Sequence, residues 1–339
     1  MSVRKYITEF GLQMRASKVY LLQQDHLETL KDLDEFQGAP SHIYIIASLP
    51  KITIDSQSYY LDDKFYSLKF NIQKQNSYTH ETFTSPIDSE ILNTQLDCPY
   101  PHTEYKIKDN QGNICKEGKA AILLLESVSA LQENDLKSQK LNDLQNLLSF
   151  EVLYIGQSYG KEGERTAIDR LPEHKTFQKI YFKSNKNHPD KDVWIILFTF
   201  EKSVITTIDP NQNNYGATID ESNTHTFNVC NKVMNDDAVI TEKQSINFTE
   251  AALIRYFQPE YNEKFKNNFP DYSHSSYSEC YDLDISSVII VLSNDLDKVK
   301  FKLHSSKILP DYDHIIQFNL HSKNERKSMF ELSNLISNE

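Results

Sequence analysis

Along residues 42–126 short apolar runs alternate with polar breaks, the spacing of β-strands. Residues 42–49, 51–55 and 64–72 each predict a strand, the last with Leu68, Phe70 and Ile72 on one face. Residues 105–108 and 114–117 flank Asp109-Asn110-Gln111-Gly112-Asn113, where Gly112 can take the positive φ that a hairpin turn demands. The unbroken apolar run 120–125 predicts a strand covered on both faces. Leu141, Leu144 and Leu148, three and four apart, predict an amphipathic helix over about 129–148. Strands are then expected at 151–156 and 193–200, and helices at about 165–182 and 248–257. Residues 201–245, rich in Asn, Asp and Thr, read as a long insertion loop. Strands at 288–292, 299–303 and 315–320 and a helix over 325–336 close the chain. The whole pattern predicts an α+β protein. A β-rich N-terminal module spans 1–118, a middle unit spans 119–270 with insertions at 127–149 and 201–245, and a β-rich segment spans 271–339.

Composition narrows the function classes. With 39% apolar residues and only 8 Gly and 11 Pro, the 339-residue chain can bury a core and is neither collagen-like nor of low complexity. Lys and Arg number 36 against 48 Asp and Glu, a net charge of −12, so a polyanion partner needs a local basic patch. Cys98, Cys115, Cys230 and Cys280 are scattered without a C-x-x-C pair, which argues against a structural zinc site and a disulfide framework and for a reducing, cytoplasmic compartment. No apolar leader and no run of about 18 apolar residues is present, so no membrane association is expected.

Several charged residues have competing readings. Asn247-Phe248-Thr249-Glu250 fits a capping box in which Glu250 reaches back to the start of the helix. Against this, Leu253, Ile254 and Phe257 follow Glu250 at three, four and seven residues, which puts the carboxylate on the apolar stripe, where it needs a partner such as a metal ion. Arg170 and His174, four apart, share one face of a helix and could reach one phosphate; the alternative is a solvated face with Asp169 and Glu173 as ion-pair partners. Pro172 lies between them, and Arg165 is the fallback phosphate ligand. Lys175, Lys179, Lys183, Lys186 and Lys191 stand against one acid, Asp190, with Phe177, Tyr181 and Phe182 interleaved. That segment could line a nucleic-acid phosphate track, or be an ordinary helix with its aromatics turned to the core. The remaining histidines show no metal-ligand spacing and read as surface or satisfied core residues.

Tyr154-Ile155-Gly156-Gln157-Ser158, then Arg170-Leu171-Pro172-Glu173-His174, then Glu250 to Ile254, then Pro259-Glu260-Tyr261-Asn262 form an ordered set that resembles the GIY-YIG nuclease family over about residues 120–265. The resemblance implies a three-stranded sheet with flanking helices that cuts phosphodiesters with one divalent cation, Mg or Mn. It implies that Tyr154 lies near the nucleophilic water, Arg170 binds the scissile phosphate, His174 assists, Glu250 holds the metal and Asn262 positions the site. Such an endonuclease would act on DNA, with RNA as the second choice, while the flanking modules choose a substrate, a protein partner or a second copy.

The family's first strand should carry Gly-Ile-Tyr. The segment expected there, residues 120–126, has no tyrosine. Either another hydroxyl such as Tyr159 substitutes, or the chain is a weakened or inactive relative that serves as a nucleic-acid-binding or assembly module.

Overall fold

The run Ile43-Tyr44-Ile45-Ile46-Ala47 leaves no polar face, so as a strand it must be covered on both sides. In a computed structural model it is an interior strand of a sheet with helices on either face. The structure describes residues 3–27, 41–62, 65–86, 93–134, 139–159, 167–171, 174–209, 215–234, 241–267, 269–270, 278–296, 298–321 and 326–330.

The central sheet has seven strands: β1 (Thr8–Leu22), β2 (Ile43–Pro50), β3 (Phe150–Gln157), β4 (Lys191–Ile208), β5 (Ser287–Ser293), β6 (Leu303–His304) and β7 (Asp313–Asn319). Their spatial order is β6-β3-β2-β4-β1-β5-β7. The β3–β2–β4 trio is antiparallel throughout. It therefore lies inside a larger sheet and is not the small free-standing three-stranded sheet of the sequence reading. Strands from residues 1–118, 119–270 and 271–339 all pair into this one sheet. Smaller antiparallel sheets built from residues 52–86 and 95–119 fill the connection between β2 and β3. Gly112, in the turn of the second of these, has φ +87° as its hairpin position requires.

The helices correct several expectations. Residues 120–125 are not a strand but open helix α1 (Ala120–Asn134), and α2 (Gln139–Leu147) follows, so the single helix expected over 129–148 is replaced by two. The apolar run continues past strand length to Val128, with Ala121, Leu124, Leu125 and Val128 at helical spacing and buried; periodicity over six residues cannot separate the two states. Residues 201–245 are not one loop. Strand β4 continues to Ile208 along β1, and α4 (Ile219–Met234) is opened by a reciprocal box in which Thr218 Oγ1 accepts from Glu221 N–H and Glu221 accepts from Thr218 N–H. Strand β1 has no counterpart among the expected elements. The helix expected over 165–182 is a short turn, Ala167–Arg170, followed by α3 (Lys175–Asn187); Arg165, Pro172 and Glu173 lie outside the described residues. Most of the expected closing helix at 325–336 also lies outside them.

Side chains of β2 divide by parity between two cores. Ile43, Ile45, Ala47 and Leu49 join α1 and the helix α5 (Glu242–Phe257), whereas Tyr44 and Ile46 join Phe177 and Ile180 of α3. No helix among the described residues is long and apolar enough to cross a membrane.

Helix α5 begins six residues before the Asn247 start implied by the capping reading of Glu250. Thr241 is its N-cap, and Thr241 and Gln244 close a capping box across it. Replacing Thr241 by Ala is expected to lower stability by about 1 kcal/mol in urea unfolding. An unchanged midpoint would place the start of the helix elsewhere.

Candidate active site

Strand β3 is short of partners on its outer side, where β6 covers only Phe150 and Glu151. Farther along, the turn after α5 takes over: Tyr261 N–H donates to Leu153 O at 3.1 Å, and the Asn262 side chain accepts from Ile155 N–H at 2.9 Å and donates to Ile155 O at 2.8 Å. Asn262 is buried, and its side chain spends one donor and one acceptor on the backbone of Ile155. It therefore fixes the strand carrying Tyr154 and Gly156.

On its inner side β3 pairs with β2, with Gly156 opposite Tyr44 and Tyr154 opposite Ile46. Tyr44 is the residue missed by the sequence reading, which sought a partner strand at 120–126, now helix α1. Its only advance signal was a tyrosine in an earlier strand that is buried on both faces. The Tyr44 ring centroid lies 6.2 Å from that of Tyr154 and 6.3 Å from the His174 ring, and Tyr154 and His174 are 5.7 Å apart. The Tyr44 hydroxyl is sealed from solvent and makes no well-aligned hydrogen bond, while Tyr154 is only partly buried. A Cβ on residue 156 would come within 2.5 Å of Tyr44 Cζ and Oη and 2.8 Å of Tyr154 Cε1, so the glycine is needed for close approach.

Arg170 ends the short helical turn, and its Nη1 donates to the Gln157 carbonyl. Its Nη2 is 3.4 Å from His174 Nε2. His174 is the N-cap of α3, with Nδ1 accepting from Phe177 N–H at 3.3 Å, so in the neutral ring the proton resides on Nε2. Two N–H groups at that separation suit two oxygens of one phosphate. Arg170 is thus a partly buried guanidinium tied to the end of β3; the side chains of Asp169 and Glu173, the suggested ion-pair partners, lie outside the described residues.

Glu250 lies in the middle of α5, past its cap, and neighbours the Gln157 main-chain amide. Solvent still reaches the residue, but protein surrounds the carboxyl closely. Burial pushes it up to about 7, against the pull of Arg170, the Gln157 amide and Lys264. Burial, and then the Glu250 charge, raise Tyr154 as well; burial and the neighbouring Tyr154 raise Tyr44. Both phenols are therefore held neutral.

No group of three or more His, Cys, Asp and Glu side chains is placed to hold a metal among the described residues, so a cation bound beside Tyr154 and Arg170 would take Glu250 as its carboxylate ligand. That ligand fits magnesium or manganese, which keep several waters and take one or two carboxylates together with phosphate oxygens. Arg170 and Lys264 offset only part of the cost of burying this carboxylate when it is ionised.

Outside this cluster, Lys175, Lys179, Lys183 and Lys186 are all exposed along α3, with Lys183 Nζ 5.6 Å from the Tyr261 ring centroid. Of the interleaved aromatics only Phe177 turns to the core. Tyr159, the suggested substitute hydroxyl, instead donates to Glu242 at 3.2 Å. Protein-family models, curated proteins and solved structures all fail to match this chain.

Two outcomes follow from this geometry. A Glu250 carboxyl raised from its ordinary 4.5 to about 7 supports folding fully below pH of about 4.5 and loses that contribution as pH rises through 7. Glu250→Gln should therefore melt like the wild type at pH 5 and be more stable at pH 8, by at most about 3 kcal/mol. Equal melts at both pH values would mean that the carboxyl is freely solvated. Gly156→Ala should cost about 1–3 kcal/mol by overpacking against Tyr44, measured by denaturant unfolding; a neutral substitution would show that the two tyrosines are not wedged together.

Proposed function

We propose that this chain is a divalent-cation-dependent nuclease with a GIY-YIG-like centre, hydrolysing phosphodiesters of DNA and, as a second choice, RNA. The observation that carries the reading is the position of Tyr44. In His42-Ile43-Tyr44 it takes the place of the tyrosine that seemed to be missing, with histidine where the family has glycine, and it comes from the strand paired with Tyr154-Ile155-Gly156. The antiparallel β3–β2–β4 trio would be the family's core sheet, with most of the chain between Pro50 and Phe150 an insertion. Arg170, His174 and Glu250 gather round the same strand end.

In this reading Arg170 Nη2 and His174 Nε2–H hold non-bridging oxygens of the scissile phosphate. Tyr154, the less buried of the two tyrosines, accepts a hydrogen bond from the attacking water and directs it at phosphorus; Tyr44 supports the Tyr154 ring. Glu250 would hold the divalent cation, which would supply charge neutralisation at the phosphate. Attack forms one P–O bond to the water oxygen as the bond to the leaving ester oxygen breaks; the water's proton is lost to solvent and the leaving oxygen takes one up from solvent, giving a phosphomonoester and an alcohol. Glu250 must be ionised to hold the cation, so activity should rise with pH through about 7.

Supercoiled plasmid, single-stranded DNA and RNA incubated with Mg or Mn test the proposal. Arg170→Ala and Glu250→Gln should each reduce cleavage at least about 100-fold with the fold retained by circular dichroism, Tyr154→Phe about 100-fold, and Tyr44→Phe less. Wild-type rates from Glu250→Gln would sink the proposal.

A further inference from the structure

Helix α3 starts in the proposed active site, with His174 as its cap, and runs away from it along the surface. Phe177, Ile180 and Ser184 form its buried stripe. The opposite side carries Lys175, Lys179 and Lys186 at helical spacing, and Phe182 falls within that stripe, 69% exposed. Tyr181, 39% exposed, and Asn185 continue round the helix toward Gln24. Between them is an open groove of about 590 Å³ formed chiefly by Gln24, Gln178, Tyr181, Phe182, Asn185 and Lys186. No carboxylate among the described residues lines it, in a chain with a net charge of −12. An exposed phenylalanine among lysines, beside amide side chains, is poorly suited to a protein core, and equally to a duplex whose bases are stacked inside.

We propose that α3 is a stacking platform for unpaired bases, so that the substrate is nucleic acid with a single-stranded stretch, its phosphates on the lysines and a base on Phe182 above the Tyr181–Asn185 groove. Phe182 lies roughly 12 Å from the His174 cap along the helix axis, so a strand held there can extend into the phosphate-binding pair Arg170 and His174. This inference rests on the nuclease reading for the site, but concerns what the site is offered.

The test uses the full chain in EDTA, where nothing is cut, and fluorescence anisotropy with four 12-mer probes: oligo-dT, oligo-rU, a DNA duplex and an abasic strand. Oligo-dT, oligo-rU or both should bind about 10-fold more tightly than the abasic strand and the duplex, a difference of about 1.4 kcal/mol, with the two single strands separating DNA from RNA. Phe182→Ala should bring oligo-dT and oligo-rU down to the abasic level and leave abasic binding unchanged. Equal binding of dT, rU and abasic strands, tighter binding of duplex, no binding of any probe, or an unaffected Phe182→Ala would each overturn the platform. Hydrolysis of bis(p-nitrophenyl) phosphate with Mn, which needs no groove, keeps the two ideas apart. Diester turnover without base discrimination removes the platform alone; discrimination without turnover supports the platform and removes the nuclease reading alone.

Discussion

The register of β2 against β3 is the constraint on which the site depends. With Tyr44 opposite Gly156, two tyrosine rings from strands far apart in the chain occupy one side of the sheet, and only a residue without a Cβ leaves room for them. A shift by one residue would send Tyr44 into the core of α1 and α5 and put Ile43 or Ile45 against α3 in its place. The bulge between Val152 and Tyr154 and the two bonds from Asn262 to Ile155 hold the strand in this register at the point where its outer neighbour ends. Asn262 thus acts on the site through the backbone.

Charge is concentrated at the end of the same strand. Arg170 binds the Gln157 carbonyl while Glu250 neighbours the Gln157 amide, so the main chain at one residue separates a cation from a carboxylate. The enclosed carboxylate costs stability when ionised, and a bound cation would offset that cost. A fold stabilised mainly by its two apolar cores can carry one such defect.

Most strand positions were legible because burial on one or both faces leaves a periodic or continuous apolar trace, as at β2, β3, the first half of β4 and β5. The second half of β4 was not, because its Glu201-Lys202-Ser203 stretch faces solvent and is held by pairing with β1, a partner nearly two hundred positions away. The run at 120–125 was ambiguous between strand and helix, and choosing strand hid Tyr44, since it supplied a false partner for Tyr154. The start of α5 was misplaced because Asn247 and Glu250 imitate a cap whose true members, Thr241 and Gln244, lie one and a half turns upstream. Tyr154, Arg170, His174 and Glu250 were recognisable as a set through motif order, yet motif order carries no distances. The lysines of α3 were visible as a charge run, but which aromatics among them reach water depends on where the helix meets the sheet.

The long connection between β2 and β3 has a consequence for how the molecule comes into being. Tyr44 leaves the ribosome about a hundred residues before the strand it pairs with, and Glu250 and Asn262 emerge about a hundred residues later again. During synthesis the early strand must wait unpaired on that side while the small sheets between form locally. If the centre cuts nucleic acid as proposed, a nascent chain stays harmless until most of its length has been made.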